Sequence, residues 1–408
     1  MKILLYGINY FPEKIGIGKY STEMCEWFTK KGHEVSVITA MPYYPNWKVF
    51  ETYEKKYWHT ELINGVTIHR CPLFVPVKVT GFTRIVHEIS FALSSLLYWF
   101  KILFSKYEVI ISIAPPLQIG LFVNIYKIFH KSICVYHIQD LQLEAAKELG
   151  LIKNKLILKV ISRIEKLILD RSDVVSTISD GMLRKLLLKN VPEAKLFLLR
   201  NWTDTKLIYP DVSDPLIREL FNIEQSKKII LYSGNIGEKQ GLDTIIEVAE
   251  ELASLDIVFL VIGDGSYKAK FEQKIHSNSL RNIKLFPLQP VELFNKILNL
   301  ADLHLILQKK AAADLVMPSK FSTILASGGV AIVTAEKETA LYDLVKENEV
   351  AILIEPEDSM LLKEAIISAL NSDLTKYKLN ARNYALKHLD KEKIMVAFND
   401  FLSAKRLQ

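Results

Sequence analysis

Lys320 follows Pro318 and Ser319 at the head of a short apolar run, FSTILASGG, which stops at Gly328-Gly329 and leads into the β-branched strand VAIVT. That order predicts a helix N-terminus with a lysine in its first turn, where unpaired backbone N–H groups and the helix dipole favour an anion such as phosphate. Three other loops share this character. Gly16-Ile17-Gly18 precedes the helical stretch KYSTEMCEWFTKK. Gly234, Gly237 and Gly241 bracket Asn235, Lys239 and Gln240 ahead of DTIIEVAEELA. Gly263-Asp264-Gly265 follows IVFLVI. Glycine lets backbone approach a ligand without interference from Cβ. One such loop is only a turn, and an isolated G-x-G is weak. Together with the Lys320 loop they point to a cleft for a nucleotide or nucleotide-sugar.

These loops need a frame, and the apolar runs supply it. KILLYGI, EVSVIT, VTIHRC, EVIISIA, SICVYHI, VVSTIS and LFLLRN in the front half, then KIILYSG, IVFLVIG, NIKLF, LHLIL, VAIVT and AILIEP in the back half, alternate with helical stretches. Most lack a two-residue polar alternation, as strands covered by helices on both faces do. The expected fold is α/β, with two doubly wound Rossmann-like domains facing across a cleft and the ligand at the carboxyl ends of the strands. Residues 201–222, NWTDTKLIYPDVSDPLIRELFN, are polar, hold two prolines and break the rhythm, so they read as a linker. The expected domains are 1–205 and 206–385, with 386–408 a terminal helix returning towards the first.

The composition excludes several functions. With 408 residues, half of them apolar and 24% charged, the chain is long enough for two packed domains. Cys25, Cys71 and Cys134 are few and far apart, which argues against a disulfide framework or a zinc site and for a reducing cytoplasm. The N-terminal run ILLYGINYF meets Pro12 too soon for a secretory leader. No Asp-x-Asp motif or His cluster offers a metal site, and no metal or other cofactor is expected. Residues 1–205 carry 27 Lys plus Arg against 18 Asp plus Glu, or +9, which leaves −3 of the total +6 for the rest. A basic front half suits an anionic membrane surface or acidic substrate. Nucleic acid is disfavoured, because no Arg-rich helix or zinc-finger spacing is present.

Two segments favour the membrane surface. Residues 85–104, IVHEISFALSSLLYWFKILF, are strongly apolar, but His87, Glu88 and Lys101 leave a stretch shorter than the ~20 residues that span a bilayer. In KNKLILKVISRIEKLILDR, Lys155, Lys159, Arg163 and Lys166 recur at helical spacing among Leu156, Val160, Ile164, Leu167 and Ile168. The alternative is that both are core-facing helices with solvated lysines.

PEKIGIGKYSTEMCEWFTKKGHEVSVIT, LYSGNIGEKQGLDTIIEVAEEL, VFLVIGDGSYKAKFE and ADLVMPSKFSTILASGGVAIV resemble the opening loop, phosphate loop, base loop and donor loop of the retaining glycosyltransferases of the GT-B fold, family 4. More closely, YGINYFPEKIGIGKYSTEM, MPYYPNW, SGNIGEKQGLD and ADLVMPSK resemble the bacterial exopolysaccharide and O-antigen transferases of that family. The resemblance covers nearly the whole chain. It implies that the first domain binds the acceptor and faces the membrane, and that the second binds the nucleotide-sugar. The donor site would include Gly16, Gly18, Gly234, Asn235, Lys239, Gln240, Gly263, Gly265, Asp314, Leu315, Val316, Met317, Pro318, Ser319, Lys320 and Thr323. Leu315 and Thr323 stand where the family has two Glu residues. Asp314 is adjacent and could hold a sugar hydroxyl, and Thr323 could reach the ribose. Asn235 and Gln240 stand at the family's phosphate-binding Arg and Lys, so positive charge must come from Lys239 or Lys320. The family's His-Asp pair reads Gln139-Asp140, with His137 two residues earlier on the same strand face. Asp140 or Gln139 would orient the acceptor hydroxyl, or Asp140 would cap the next helix.

The resemblance thus implies a retaining, metal-independent hexosyl or N-acetylhexosaminyl transferase at the inner face of the plasma membrane. It would move sugar from an NDP-sugar, UDP preferred, to a polyprenyl-diphosphate-linked saccharide. The competing expectations are a UDP-sugar 2-epimerase of the same fold and a non-catalytic nucleotide-sugar-binding subunit.

Overall fold

The structure is a computed structural model that describes residues 1–144, 154–212, 214–310 and 318–407. The chain divides into two compact units, Met1–Arg200 with Met395–Gln408, and Asn201–Ile394.

In the first unit, strands β1 (Lys2–Tyr6), β2 (Glu34–Ala40), β3 (His59–Ile63), β4 (Val66–Cys71), β5 (Val109–Ala114), β6 (Ile133–Ile138), β7 (Val174–Thr177) and β8 (Leu196–Leu198) form one sheet in the order β3-β4-β2-β1-β5-β6-β7-β8. Helices α1 (Gly16–Lys30), α2 (Gly81–Ile102), α3 (Ile119–Phe129), α4 (Lys155–Arg171) and α5 (Asp180–Leu188) connect them. All ladders are parallel except β3 with β4. The sequence pattern predicts no strand at His59–Ile63. It forms because Asn64 and Gly65, with φ of 51° and 79°, make the tight turn that folds it onto β4.

Tyr6 shows how α2 and α3 share one face of this sheet. Its ring packs on Phe91 and Trp99 of α2 and on Phe122 of α3, and its hydroxyl bonds Ser95 at 2.7 Å. α4 continues the layer through Ile168, which sits against Gly120 of α3 and near Tyr136 of β6.

The second unit holds β9 (Lys228–Asn235), β10 (Ile257–Asp264), β11 (Ile283–Phe286), β12 (Leu303–Ile306), β13 (Ala331–Thr334) and β14 (Ile352–Ile354), all parallel, in the order β11-β10-β9-β12-β13-β14. Its helices are α6 (Pro215–Leu220), α7 (Asp243–Glu251), α8 (Lys268–Ser277), α9 (Val291–Leu300), α10 (Ser319–Ala326), α11 (Ala340–Asn348), α12 (Ser359–Leu370) and α13 (Thr375–Tyr384), and α14 (Lys391–Leu407) ends the chain. Ile229 and Leu231 belong to one core, Ile230 and Tyr232 to the other, so both faces of the sheet are buried.

The linker expected at residues 201–222 is not one. Trp202, Ile217 and Phe221 are buried, and Ile208, Ile217 and Phe221 join the core of the second unit. Prolines and polar residues broke the strand rhythm, but the aromatic and β-branched residues between them pay for an ordered, packed entry into that unit.

Candidate active site

At the carboxyl ends of β9 and β10, Gly263 lies beside Gly234 and Asp264 beside Asn235. A Cβ on Gly263 would fall 1.9 Å from the Gly234 oxygen, and one on Gly265 2.3 Å from the Ile236 oxygen. No side chain fits at either place, which is why the two loops can close into a shelf of bare backbone. The Ile236 N–H donates to the Asp264 carbonyl at 2.8 Å, and the Tyr232 hydroxyl donates to the Asn235 carbonyl at 2.7 Å. Beyond Gly237 a short turn, Glu238–Gln240, leads through Gly241, at a φ of 63°, into α7. The Lys239 carbonyl accepts from the Lys309 N–H at 3.0 Å, tying this turn to the segment that follows β12. The side chains of Asn235 and Lys239 are exposed.

Lys320 reaches the same shelf from α10. Pro318 is the N-cap of this helix and has no side-chain acceptor, so among the described residues no side chain caps its first N–H groups. The stem of Lys320 is partly exposed, but its Nζ is shut off from solvent and has no hydrogen-bond partner among the described residues. It lies 3.8 Å over the centroid of the Tyr232 ring, and its Cδ passes 3.5 Å from where a Cβ on Gly234 would stand. Burial pushes the amine down to about 7. Gln240 Oε1, beside Gly237, is also buried without a partner among the described residues. A buried polar atom left unmatched costs about 1–3 kcal/mol. Two of them, one donor and one acceptor, at the end of one strand are suited to a polar ligand. Thr323 uses its hydroxyl proton within α10, donating to the Lys320 carbonyl at 2.8 Å. Ser319 is exposed at the first position of that helix. Asp314, Leu315, Val316 and Met317 lie outside the described residues.

The first unit has its own glycine loop. Gly16, at a φ of 58°, starts α1, whose N-terminus has no side-chain cap. A Cβ on Gly18 would meet Glu13 at 2.9 Å. Glu13 is buried: Oε1 accepts the N–H groups of Tyr43 and Tyr44, both at 2.9 Å, and Oε2 accepts Asn9 Nδ2 at 2.8 Å. Burial raises its carboxyl, opposed by those three donors. Glu13 thereby fixes the Gly16-Gly18 loop to the MPYYPNW loop.

At the end of β6, Gln139 Nε2 donates to His137 Nε2 at 2.9 Å, so Nδ1 carries the proton and bonds Ser176 Oγ at 2.9 Å. Burial drives His137 down to about 3, and it stays neutral. Through this bond it supports Gln139. Asp140 forms no hydrogen bond through its carboxylate among the described residues, so the capping role is not seen. Burial raises this carboxyl, with Arg84 acting against the shift. Glu88, on α2, is its neighbour: Glu88 Oε1 accepts Arg84 Nε at 3.2 Å and Gln142 Nε2 at 3.0 Å, and burial followed by the charge of Asp140 raises it.

Glu13, Arg84, Glu88, Gln142 and Tyr232 escaped the motif analysis. Glu88 carried a signal, being an acid inside a stretch that is otherwise apolar and aromatic. Glu13 and Tyr232 carried none, since their partners lie in distant segments.

Comparison with known proteins identifies the family and the fold. The model of the family "Glycosyl transferases group 1" matches residues 213–388, and that of "Glycosyl transferase 4-like domain" matches residues 16–202. A protein of Escherichia coli K12 assigned as the colanic acid biosynthesis glycosyl transferase WcaI is 40% identical over 405 residues, 98% of each chain. Anabaena Alr3699/HepE, solved in complex with UDP, superposes with a TM-score of 0.74 at 13% identity, covering 99% of this chain and 100% of that one. WaaG, a glycosyltransferase involved in lipopolysaccharide biosynthesis, gives 0.65 at 16% identity over 98% of this chain and 99% of its own. Both units are parallel-sheet, Rossmann-like domains of the kind that these structures share, and the chain belongs to the GT-B glycosyltransferases of family 4.

Proposed function

We propose that the protein is a retaining, metal-independent glycosyltransferase. It transfers a hexosyl or N-acetylhexosaminyl group from a UDP-sugar to a polyprenyl-diphosphate-linked saccharide, in the biosynthesis of a surface polysaccharide, at the inner face of the plasma membrane. The observation that carries the donor half is the pair of unmatched buried atoms, Lys320 Nζ and Gln240 Oε1, beside the glycine shelf of β9 and β10. The UDP bound by HepE supports the choice of base, and the name of the E. coli relative supports the polysaccharide pathway.

The chemistry follows from charge. When the bond from the anomeric carbon to the diphosphate breaks, negative charge grows on the leaving UDP and positive charge on the sugar. Lys320, Lys239 and the uncapped amides of α10 supply fixed positive potential, an electrostatic effect of the kind worth several kcal/mol in active sites. This is the work a divalent cation does in other transferases. The acceptor hydroxyl attacks from the face the diphosphate leaves, its proton passing to a departing phosphate oxygen, so configuration is retained. Asp140 and Gln139 orient that hydroxyl, with His137 holding Gln139.

The test is UDP release from a panel of UDP-sugars with a short-chain polyprenyl-diphosphate saccharide, with and without EDTA, followed by NMR of the new linkage. Release that survives EDTA with an unchanged anomeric configuration is expected. An inverted product, or turnover abolished by EDTA and restored by magnesium, would overturn the mechanism. Turnover with GDP-sugars alone would overturn the choice of base.

A further inference from the structure

α2 is apolar on its outward face as well as on the face that buries Phe91, Trp99 and Ile102. Ser95 is buried against Tyr6 of the sheet and His87 against the Tyr43 and Trp47 rings, whereas Phe82, Ile85, Val86, Ile89, Leu93, Leu96, Leu97 and Phe100 form an exposed stripe along its length, continued by Phe104. Phe82, Leu93, Phe100 and Phe104 are 75%, 62%, 65% and 79% exposed. A helix at an aqueous surface puts charged residues there. The neighbours repeat the pattern: Ile125, Ile128 and Phe129 on α3, and Leu156, Ile157 and Val160 on α4, are also exposed. The three helices end side by side. His130 Nε2 bonds the Leu103 carbonyl at 2.8 Å, and Lys127 Nζ donates to the Arg171 carbonyl at 3.1 Å.

Charge identifies what covers this face. The three helices hold eight Lys and Arg against three acids, Glu88, Glu165 and Asp170. Each acid is already paired, with Arg84, Lys189 and Lys166 respectively. Lys155, Lys159, Arg163 and Arg171 stand exposed on α4. Apolar rings and aliphatic chains bordered by uncompensated cations match an interface of acyl chains beneath anionic headgroups. A second copy of this chain would set like charges against each other. Among the described residues no helix is long and apolar enough to cross a membrane. α2, with 22 residues and a length of roughly 33 Å, has one side committed to the sheet and can only lie flat.

We propose that the outward face of α2, α3 and α4 is the surface by which the protein docks on an anionic lipid bilayer, α2 lying in the headgroup plane. This rests on the lipid-linked acceptor proposed above and names the part of the chain that meets the lipid.

Flotation of the full chain with phosphatidylcholine vesicles, with and without phosphatidylglycerol, tests it. The wild type is expected to float with the anionic vesicles, less so as salt rises. Leu93→Ser, Leu96→Ser, Phe100→Ser and Phe104→Ser combined should lower the bound fraction about tenfold at every salt concentration, since apolar burial does not screen. Lys155→Gln, Lys159→Gln, Arg163→Gln and Arg171→Gln combined should weaken binding at low salt and flatten its salt dependence. All eight residues are exposed, so the fold should survive, and near-UV circular dichroism checks this. A wild type that floats with neither vesicle, or a folded serine variant that floats as the wild type does, overturns the proposal. So does a wild-type dimer that the serine changes dissociate, because the occupant is then a second copy. UDP affinity measured on the same samples separates the two ideas: flotation without UDP binding supports the docking face and overturns the donor assignment.

Discussion

Lys320 makes the donor site testable through its proton. In the unfolded chain its amine has the ordinary value of 10.5, but in the folded chain burial pushes it down to about 7. Between those values the unfolded chain holds a proton that the folded one lacks. The unliganded protein therefore gains stability as pH rises through that window, and bears the full cost of a buried charge below it. A diphosphate reverses the balance by restoring the proton. UDP binding is expected to take up close to one proton at pH 8, and its affinity to fall by up to about tenfold per unit as pH climbs above 7. Lys320→Ala should weaken UDP by about 1–3 kcal/mol at pH 6.5 and leave a flat profile. Calorimetry in two buffers of different ionisation heat reads both, and equal proton uptake in wild type and variant would remove Lys320 from the site. In the first unit, Arg84 holds down two carboxyls that burial raises, those of Asp140 and Glu88. With an ionised Asp140 orienting the acceptor, Arg84→Gln should move the acid limb of the kcat profile to higher pH while UDP affinity stays the same. Asp140 was legible in the sequence because it follows a strand. The Arg84–Glu88 partnership was not, because it is made across the fold.

At the scale of elements, the parallel strands were legible because runs such as IVFLVIG are apolar throughout and others such as SICVYHI lack a two-residue polar alternation, as strands of a sheet covered on both faces do. β3 was missed because HTELI is an edge strand with polar residues on both sides. Only the Asn64-Gly65 turn betrays it. The glycine loops were legible as places where a ligand can approach backbone, but not the closeness of the two loops to each other, since Gly263 and Gly265 sit against the backbone of Gly234 and Ile236. Gly263→Ala must drive its Cβ into the Gly234 carbonyl, 1.9 Å away, and part β9 from β10. A loss of about 1–3 kcal/mol is expected, as for an overpacked core, together with most of the UDP affinity. Gly81→Ala, which meets nothing within 4 Å, is the control and should change neither. Thermal melts with and without UDP decide, and a Gly263→Ala protein that binds UDP like the wild type would show the shelf to be dispensable.

At the scale of the whole molecule, the charge split was legible by counting, but the path of the chain was not. Trp202 and Phe221 show that the second unit begins while the sequence still reads as a connection, because prolines mark turns in packed segments as well as in linkers. The first unit is completed only by α14, which follows the whole of the second unit in the sequence. Phe398 of α14 is fully buried, against Phe28 of α1 and Phe197 of β8, and His33 Nε2 meets Asn399 Oδ1 at 3.0 Å. Stability of the first unit therefore depends on a helix nearly 200 residues downstream of β8, whereas the core of the second lies within one continuous span. Phe398→Ala should remove about 3–5 kcal/mol, the usual cost of emptying a buried aromatic site, and from the first unit alone. Calorimetric unfolding in the presence of UDP identifies the transitions, because a ligand raises only the one belonging to the unit that binds it. The variant is expected to lower the transition that UDP does not move and to leave the other in place. If it instead lowers the UDP-stabilised transition, α14 supports the donor-binding unit, and the division of the chain at its C-terminal end is wrong.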